Sequence, residues 1–339
     1  MITPAIVSIS DSVELLNFIE QLTPGVFHVR FEDGEMTIAV GDGAFAEMMS
    51  RIPSIKQIGL RRLHTRGVHR TFSSDWCIAV GEAQQFELAR AHAAIGNTPY
   101  AVCPKSLSTD TFATDRYHGD LDQAAMKGYF PSAIVLDSSF LAEPGDKEQS
   151  LGLGEAIGLL ASLHDHAQCA NVNVPSCFLS GVESLLASLA KSWLENTPRA
   201  QRLMQLAVSL MFKGLLIRTF GDNGPIASCD HLVAYELKRR GYHARHGTLV
   251  ILGFLLSAQL VLHNAEEWAT RAAEVAVKYR LIEREGIVSL LNMDLEDVLI
   301  RASRNRPQRE TILTRISPQT ARSSINLARE VISAHVRNL

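Results

Sequence analysis

The amino-acid sequence predicts an α/β domain followed by an all-helical domain. Over roughly the first 140 residues, short apolar runs rich in β-branched residues alternate with helical stretches, which is typical of α/β domains. The polar segment 141–150 then carries Pro144-Gly145, a turn signal, and beyond it only helical periodicity recurs. A chain of 339 residues is long enough for two hydrophobic cores. We therefore expect domains at 1–145 and 146–339.

The first domain is predicted to contain a mainly parallel sheet. Its strand-like runs are TIAV (37–40), WCIAV (76–80), YAVC (100–103) and SAIVLD (132–137), and its helical stretches are AFAEMMSRI (44–52) and EAQQFELARAHAAI (82–95). Ligands of parallel sheets bind beyond the carboxyl ends of the strands. We therefore expect the loops after Val40, Val80 and Cys103 to form the ligand-binding edge.

The second domain is predicted from apolar residues that recur at helical spacing. Its predicted helices are 151–165, 180–195, 199–217, 226–239, 247–262, 265–280, 294–303 and 318–336. The apolar stretch 248–262 is interrupted by Gly253, Ser257 and Gln259 and falls short of a membrane span, so it is predicted to be a buried core helix.

Composition argues against a dedicated nucleic-acid or membrane-surface binder. The formal net charge is −3 and the lysines and arginines are scattered, whereas such binders concentrate basic residues on one surface. The N-terminus lacks the basic start and cleavage site of a signal peptide. Five dispersed cysteines without a CxxC pair are typical of reduced thiols. We expect a cytoplasmic protein with a small-molecule substrate, and leave open whether it forms a homo-oligomer.

Glu155, His231 and His246 form the most informative set of side chains. They lie in SLGLGEAIGLLASLHD (150–165), ASCDHLVAYEL (227–237) and HARHGTLVILG (243–253). One carboxylate and two imidazoles can hold a divalent metal and leave a position open for water or substrate, as catalytic sites require. The alternative is that these are unrelated core or surface residues, since the chain has 12 histidines.

Local signals suggest how these three side chains meet. We interpret Gly-Leu-Gly before Glu155 as a turn, with Glu155 near the first turn of a helix. The helix carrying His231 should begin after Pro225 and end near Gly241, because glycine commonly follows a helix C-terminus. A new helix beginning at His246 would then form a short hairpin that brings both imidazoles to one end of the bundle.

The order of these motifs resembles the superfamily of 3-dehydroquinate synthase, glycerol-1-phosphate dehydrogenase and iron-containing alcohol dehydrogenase. The matching segments are GLGE (152–155), CDH (229–231) and HG (246–247). The resemblance implies a dehydroquinate synthase-like fold, in which a nucleotide-binding α/β domain precedes a helical domain and a metal lies between them. It also implies that Glu155, His231 and His246 are the metal ligands.

Two further segments support the resemblance. PKSLSTDTFATDRYHG (104–119) is similar to the family's loop that precedes a substrate-contacting aspartate, which implies a substrate role for Asp110 and a cofactor contact for Ser108. RPQRETIL (306–313) resembles a string near the C-terminus of glycerol-1-phosphate dehydrogenases. Arg116 falls near a substrate-binding lysine of dehydroquinate synthases and is our candidate for holding an anionic group. A surface ion pair with Asp115 or Asp120 is the alternative.

The nucleotide-binding turn departs from the family pattern. The family has a glycine-rich turn before a helix, whereas AVGEAQQFELARAHA (79–93) retains only Gly81. Glu82 follows it, and its carboxylate would repel a pyrophosphate. Either the nucleotide binds in a shifted pose, or its binding is weakened or lost. Gly41 and Gly43, after the run TIAV, are candidate contacts for the adenosine side.

Two other features bear on anion binding. The stretch LRRLHTRGVHR (60–70) could bind a phosphate of cofactor or substrate, or form a solvated basic loop. The lysine that follows the metal carboxylate in the family is absent, and Gly158 and Leu159 occupy its expected positions.

Together these features imply a metal-dependent, NAD(P)-linked oxidoreductase resembling glycerol-1-phosphate dehydrogenase, acting on a small phosphorylated polyol or ketose. Zinc suits the ligand set, and iron(II) or nickel stays open. A second hypothesis is a sugar-phosphate cyclase of the dehydroquinate synthase type, which eliminates phosphate. A third is a metal-binding relative that has lost nucleotide chemistry.

Overall fold

The computed structural model describes residues 5–51, 76–117, 126–169, 173–195, 197–305 and 310–336. In these ranges a six-stranded mixed sheet comes first in the chain and a helical bundle follows it. The predicted fold class, an α/β domain plus an all-α domain, is confirmed by this architecture.

The sheet has the strand order β1-β2-β3-β8-β5-β4. Its strands are β1 (Ala5–Ser8), β2 (Gly25–Phe31), β3 (Gly34–Gly41), β4 (Cys77–Gly81), β5 (Tyr100–Pro104) and β8 (Ala133–Asp137). Neighbouring strands are parallel except for the β2–β3 hairpin. The short strands β6 (Arg116–Tyr117) and β7 (Met126–Lys127) form a separate antiparallel pair. The predicted runs correspond to β3, β4, β5 and β8, while β1 and β2 were not predicted.

The helices of the first domain cover both faces of the sheet. They are α1 (Ser12–Glu20), α2 (Ala44–Arg51) and α3 (Ala83–Gly96). Phe86 of α3 packs in the large core that includes Ile134, whereas Met48 of α2 packs in a smaller core that includes Val135. Adjacent residues of a strand point to opposite faces, so these two helices lie on opposite sides.

The second half is helical throughout its described residues. Its helices are α4 (Ser138–Leu141), α5 (Asp146–Cys169), α6 (Ser176–Leu194), α7 (Arg199–Phe220), α8 (Cys229–Arg239), α9 (His246–Val261), α10 (Ala265–Lys278), α11 (Arg284–Leu291), α12 (Leu295–Ala302) and α13 (Pro318–Val336). All predicted helices are present, and α4 and α11 were not predicted. The hairpin between α8 and α9 turns at Gly241, whose φ of +83° is a backbone conformation that favours glycine.

The predicted turn before Glu155 is wrong. Gly152 and Gly154 lie inside α5, a helix of 24 residues that starts at Asp146, and Glu155 is in its third turn. The reason is tertiary. A Cβ atom at Gly154 would lie 2.0 Å from the carbonyl oxygen of Gly247, so the glycine allows the backbones of α5 and α9 to touch.

Helix α7 is long and apolar enough to cross a membrane by length and composition alone. Its most apolar window is 67% buried inside the protein, and the helix packs against α5 and α6. A core helix passes the same test of length and hydropathy, and α7 is a core helix of this bundle. It carries one fully buried charge, Lys213.

Candidate metal centre

The structure brings Glu155, His231 and His246 together from three helices. Nε2 of His246 lies 3.0 Å from Oε1 of Glu155, and Nε2 of His231 lies 3.4 Å from Oε2 of the same carboxylate. The three candidate ligand atoms all lie within 4.8 Å of one another. Glu155 comes from the middle of α5, His231 from the first turn of α8 and His246 from the first residue of α9.

Two of the three side chains are buried, and the third lies where the site is open to solvent. The side chains of Glu155 and His231 are 2% and 5% exposed, whereas that of His246 is 45% exposed. Oε1 of Glu155 is buried and has no hydrogen bond of acceptable geometry. A buried carboxylate oxygen normally has a partner, and one carboxylate with two imidazoles suits a divalent ion such as zinc. The residues therefore fit a metal, with access from the His246 side.

The carboxylate of Glu155 is held in its ionised form. Burial alone would raise its pKa, but Lys213 and His246 outweigh that effect and hold the pKa well below the usual carboxyl range. The ionised form is the one that binds a cation.

His231 is oriented by its neighbour in the sequence. Nδ1 of His231 lies 2.9 Å from Oδ2 of Asp230, and Oδ1 of Asp230 accepts a hydrogen bond from the Ser162 hydroxyl on α5. With Nδ1 engaged in this way, Nε2 faces Glu155, as in the carboxylate–histidine–metal arrangement common in metalloproteins. Burial opposes protonation of His231, yet Asp230 outweighs it and raises the pKa to about 9.

Asp230 also explains the absent lysine. A Cβ atom at Gly158 would lie 2.5 Å from Oδ2 of Asp230 and 2.5 Å from Cγ1 of Val250. Any side chain at position 158 would therefore displace the carboxylate that orients His231. In this chain the space beside Gly158 is occupied by the carboxylate of Asp230, which orients the candidate ligand His231.

A buried cation, Lys213, was missed by the sequence analysis. Its ammonium donates a hydrogen bond to Oε2 of Glu155 and lies 3.2 Å from Oδ2 of Asp110. Burial alone would lower its pKa, but Asp110 and Glu155 outweigh burial and raise it. One signal was present: Lys213 is the single charged residue of the apolar run 206–217.

Asp110 reaches the centre on a loop that is fixed to α5. Gln149, near the start of that helix, is fully buried. Its Oε1 accepts a hydrogen bond of 2.6 Å from the Leu107 amide, and its Nε2 donates to the carbonyls of Lys105 and Leu141 at 3.0 and 2.6 Å. Helix α5 thus carries Glu155 and also anchors the loop that carries Asp110.

The candidate nucleotide contacts lie at the expected edge of the sheet. Gly41 and Gly81 end strands β3 and β4, and Gly43 follows with a φ of +68° and open space where a Cβ would stand. The open space beside Gly43 leaves room for a ligand close to the backbone at the end of β3. The amide of Ser108, another candidate nucleotide contact, donates a hydrogen bond of 3.3 Å to the Ser106 hydroxyl.

The turn after β4 does not fit a pyrophosphate as it is arranged. The Glu82 amide, which would face the phosphate, donates instead to Oε1 of Gln85 at 3.0 Å. The Gln85 side chain also lies 3.1 Å from the position of a Cβ on Gly81. Pyrophosphate binding at a helix N-terminus needs free amides, and here the first of them is used internally.

Other predicted contacts are only partly within the described residues. Arg116 pairs through its backbone with Lys127, and the Arg116 side chain is not among the described side chains. Asp115 is 1% exposed, so it is not available for a surface ion pair. Residues 60–70, Asp120 and 306–309 also lie outside the described ranges.

The part of segment 306–313 that the structure describes is hydrogen-bonded, through Asp165 on α5, to the start of the helix that carries His231. The amide of Ile312 donates to Oδ1 of Asp165 at 2.6 Å. Oδ2 of the same carboxylate accepts from the Ser228 hydroxyl and the Cys229 amide at 2.6 and 3.0 Å. The segment is therefore bound to the start of α8, two residues before His231.

Comparisons with known proteins agree with this arrangement. No family model matches the chain. A glycerol-1-phosphate dehydrogenase [NAD(P)+] of Pyrobaculum aerophilum is 23% identical over 299 residues, which is 83% of this chain and 85% of that protein. The structure of glycerol dehydrogenase from Schizosaccharomyces pombe matches with a TM-score of 0.58 at 18% identity, covering 78% of this chain and 72% of that one.

A synthase of known structure shares the fold. The structure of 2-deoxy-scyllo-inosose synthase matches with a TM-score of 0.53 at 12% identity, over 79% of this chain and 89% of that one. Sequence similarity spans most of the chain, and the structural likenesses span both the sheet and the bundle. The chain is therefore similar in sequence to glycerol-1-phosphate dehydrogenases and shares the fold of glycerol dehydrogenase, iron-containing alcohol dehydrogenase and 2-deoxy-scyllo-inosose synthase.

Proposed function

We propose that this protein is a metal-dependent, NAD(P)-linked oxidoreductase that acts on a small phosphorylated polyol or ketose. The observation that carries the proposal is the convergence of Glu155, His231 and His246 from three helices at a site open on one side. The relative from Pyrobaculum aerophilum, named a glycerol-1-phosphate dehydrogenase [NAD(P)+], supports the substrate class. Zinc is the metal we propose, because one carboxylate and two imidazoles suit it.

The protein's own residues supply orientation and charge. A bound divalent ion would polarise a substrate oxygen and a nicotinamide would exchange hydride with the carbon that bears it. Asp230 keeps Nε2 of His231 turned toward Glu155. We assign to Asp110, whose side chain is 15% exposed, the role of accepting a hydrogen bond from a substrate hydroxyl. Lys213, which contacts Glu155, would add a buried positive charge that favours negative charge on a nearby substrate oxygen.

The proposal is tested by metal content and activity in matched variants. Glu155→Ala, His231→Ala and His246→Ala should each lose bound zinc and reduce glycerol 1-phosphate oxidation, followed as NAD(P)H absorbance, by at least about 100-fold. His243→Ala is the control, because His243 is exposed and lies three residues before His246. Unchanged zinc occupancy in all three variants would refute the metal site.

A sugar-phosphate cyclase is the second candidate. It is supported by the structural likeness to 2-deoxy-scyllo-inosose synthase and by glutamate, rather than aspartate, as the carboxylate ligand, which resembles the dehydroquinate synthase branch. The two candidates differ in net products. A cyclase would release inorganic phosphate from a sugar phosphate without changing bulk NAD(P)H absorbance, whereas a dehydrogenase would change that absorbance without releasing phosphate.

Loss of nucleotide chemistry is the third candidate. It is supported by the hydrogen bond from the Glu82 amide to Gln85, which uses a donor that pyrophosphate would need. Among the described residues, the candidate nucleotide contacts outside this turn are Gly41, Gly43 and Ser108. Fluorescence titration of the purified protein with NADH and with NADPH separates the cases, because absence of binding by both would refute the first two candidates together.

We also propose a cytoplasmic location without a membrane or nucleic-acid partner. The five cysteines are free thiols in the structure, which suits a reducing compartment. Fractionation of cells that produce the protein tests this, and recovery in the membrane fraction would contradict it.

A further inference from the structure

Lys213 contacts the carboxylate group that a metal would also need. Its ammonium donates to Oε2 of Glu155, and that same oxygen lies 3.4 Å from Nε2 of His231. The Lys213 side chain is 0% exposed, and its other carboxylate contact is Oδ2 of Asp110 at 3.2 Å. A cation held by Glu155 and the ammonium of Lys213 would therefore share one carboxylate, whose Oε2 faces Lys213 and His231 and whose Oε1 faces His246.

Two cations on one buried carboxylate oppose each other. A buried ammonium is stable only while it is paired, and charges a few ångströms apart interact strongly away from bulk water. A divalent ion among the three candidate ligands would repel the ammonium and weaken its contact with Glu155. The carboxylate of Asp110 also lies within reach of Lys213, so it offers the ammonium a partner when that contact weakens.

We propose that Lys213 is an internal competitor of the metal ion, and that Asp110 retains the ammonium when the ion binds Glu155. Binding of the ion then weakens the contact between the ammonium and the Glu155 carboxylate, and the ammonium remains buried beside Asp110. Lys213 lowers the affinity of the site for the metal, and Asp110 limits that loss. This inference rests on the metal site of the proposed function.

A purely structural lysine would behave differently. If Lys213 only neutralised a buried carboxylate, its removal would destabilise the fold and disorder the ligands, so metal binding would weaken. If Lys213 competes, its removal destabilises the metal-free fold but strengthens metal binding. The sign of the change in metal affinity therefore separates the two roles.

The test is the dissociation constant for Zn²⁺ alone, measured by competition with a chromophoric chelator on the full chain. Lys213→Met should bind Zn²⁺ at least about tenfold more tightly than the native protein, because a neighbouring positive charge is removed. Lys278→Met is the matched control, since the ammonium of Lys278 donates to the carbonyls of Trp193 and Leu194. Its Zn²⁺ affinity should stay within about twofold of native.

A double-mutant cycle tests the role of Asp110. Asp110→Asn should weaken Zn²⁺ binding about three- to tenfold in the native background, because the displaced ammonium loses its partner. In the Lys213→Met background the same change should have a much smaller effect, since no ammonium remains to be held. An equal effect in both backgrounds would show that Asp110 acts without Lys213 and would overturn the proposal.

Other outcomes are equally decisive. Unchanged or weaker Zn²⁺ binding by folded Lys213→Met would overturn the proposal. If Lys213→Met does not fold, Asp110→Asn decides alone, and unchanged Zn²⁺ affinity in that variant overturns it. The Glu155→Ala variant distinguishes failure of this inference from failure of the proposed metal site. If it abolishes Zn²⁺ binding while Lys213→Met has no effect, only this inference fails, but if it leaves binding unchanged, the proposed metal site fails as well.

Discussion

The substitution Gly154→Ala should separate the two helices that carry Glu155 and His246. Gly154 precedes Glu155 on α5, and Gly247 follows His246 on α9. A Cβ on Gly154 would lie 2.0 Å from the carbonyl oxygen of Gly247 and 2.8 Å from its carbonyl carbon. Both atoms belong to the backbone, so no side-chain rotation relieves the clash. The contact is reciprocal, because a Cβ on Gly247 would lie 2.0 Å from the carbonyl oxygen of Leu151.

The expected cost follows from these distances. Ordinary contact needs about 3.5 Å between carbon atoms, so α5 and α9 must move apart by roughly 1 Å. Overpacking of this kind costs about 1–3 kcal/mol, and the better helix propensity of alanine returns up to about 1 kcal/mol. Because the clash is between backbones, we take the upper end of the overpacking range and expect a net loss of about 2 kcal/mol in the free energy of unfolding, which is about 3 kcal/mol less about 1 kcal/mol.

The same displacement acts on the metal centre. The separation of 3.0 Å between Oε1 of Glu155 and Nε2 of His246 should increase, and Zn²⁺ affinity should fall about 10- to 100-fold, the range seen when support of a metal ligand is lost. The assays are urea unfolding of the metal-free protein and chelator competition. Gly145→Ala is the control, because no atom lies within 4 Å of its Cβ position. Native-like stability and Zn²⁺ affinity in Gly154→Ala would refute the close-approach argument.

Three further predictions concern buried polar groups. Asp230→Asn should weaken Zn²⁺ binding about 10- to 100-fold, because the carboxylate that orients His231 is lost; a chelator assay giving native affinity would contradict this. Gln149→Leu should raise the KM for substrate more than it lowers zinc content, since the loop carrying Asp110 loses its support; a native KM would count against that role. Burial opposes ionisation of Asp137, but hydrogen bonds from Ser139 and from the backbone amides of Phe45 and Phe140 together outweigh it and lower the pKa. Its stabilisation is therefore present above the ordinary carboxyl pKa of about 4 and is lost as pH falls through the lower folded pKa. Asp137→Asn should accordingly flatten the acid limb of urea stability measured against pH, and an unaltered limb would speak against it.

Local patterns in the sequence were sufficient for most elements. The runs that became β3, β4, β5 and β8 are apolar and β-branched, and the long helices have clear periodicity, so each carries its own signal. The strands β1 and β2 were missed although β2 spans Gly25–Phe31. Its buried and exposed residues do not alternate regularly, and its place between β1 and β3 depends on pairing with distant segments.

The candidate ligands were found from the sequence because their motifs are short and local. GLGE, CDH and HG each place the relevant side chain next to a glycine or a carboxylate that has its own physical role. The interpretation of Gly-Leu-Gly as a turn was wrong for the same reason. Glycine weakens an isolated helix, and nothing in the local sequence shows that Gly154 faces Gly247 across a helix contact.

The sequence by itself thus determined the two-part architecture, the helical hairpin at Gly241 and the identity of three candidate ligands. Only the tertiary structure decided that Lys213 lies between Glu155 and Asp110 and that Gln85 occupies the Glu82 amide. The physical reason is distance along the chain. Lys213 and Glu155 are 58 residues apart, and neither periodicity nor local turn chemistry reports which distant charge a buried ammonium will meet.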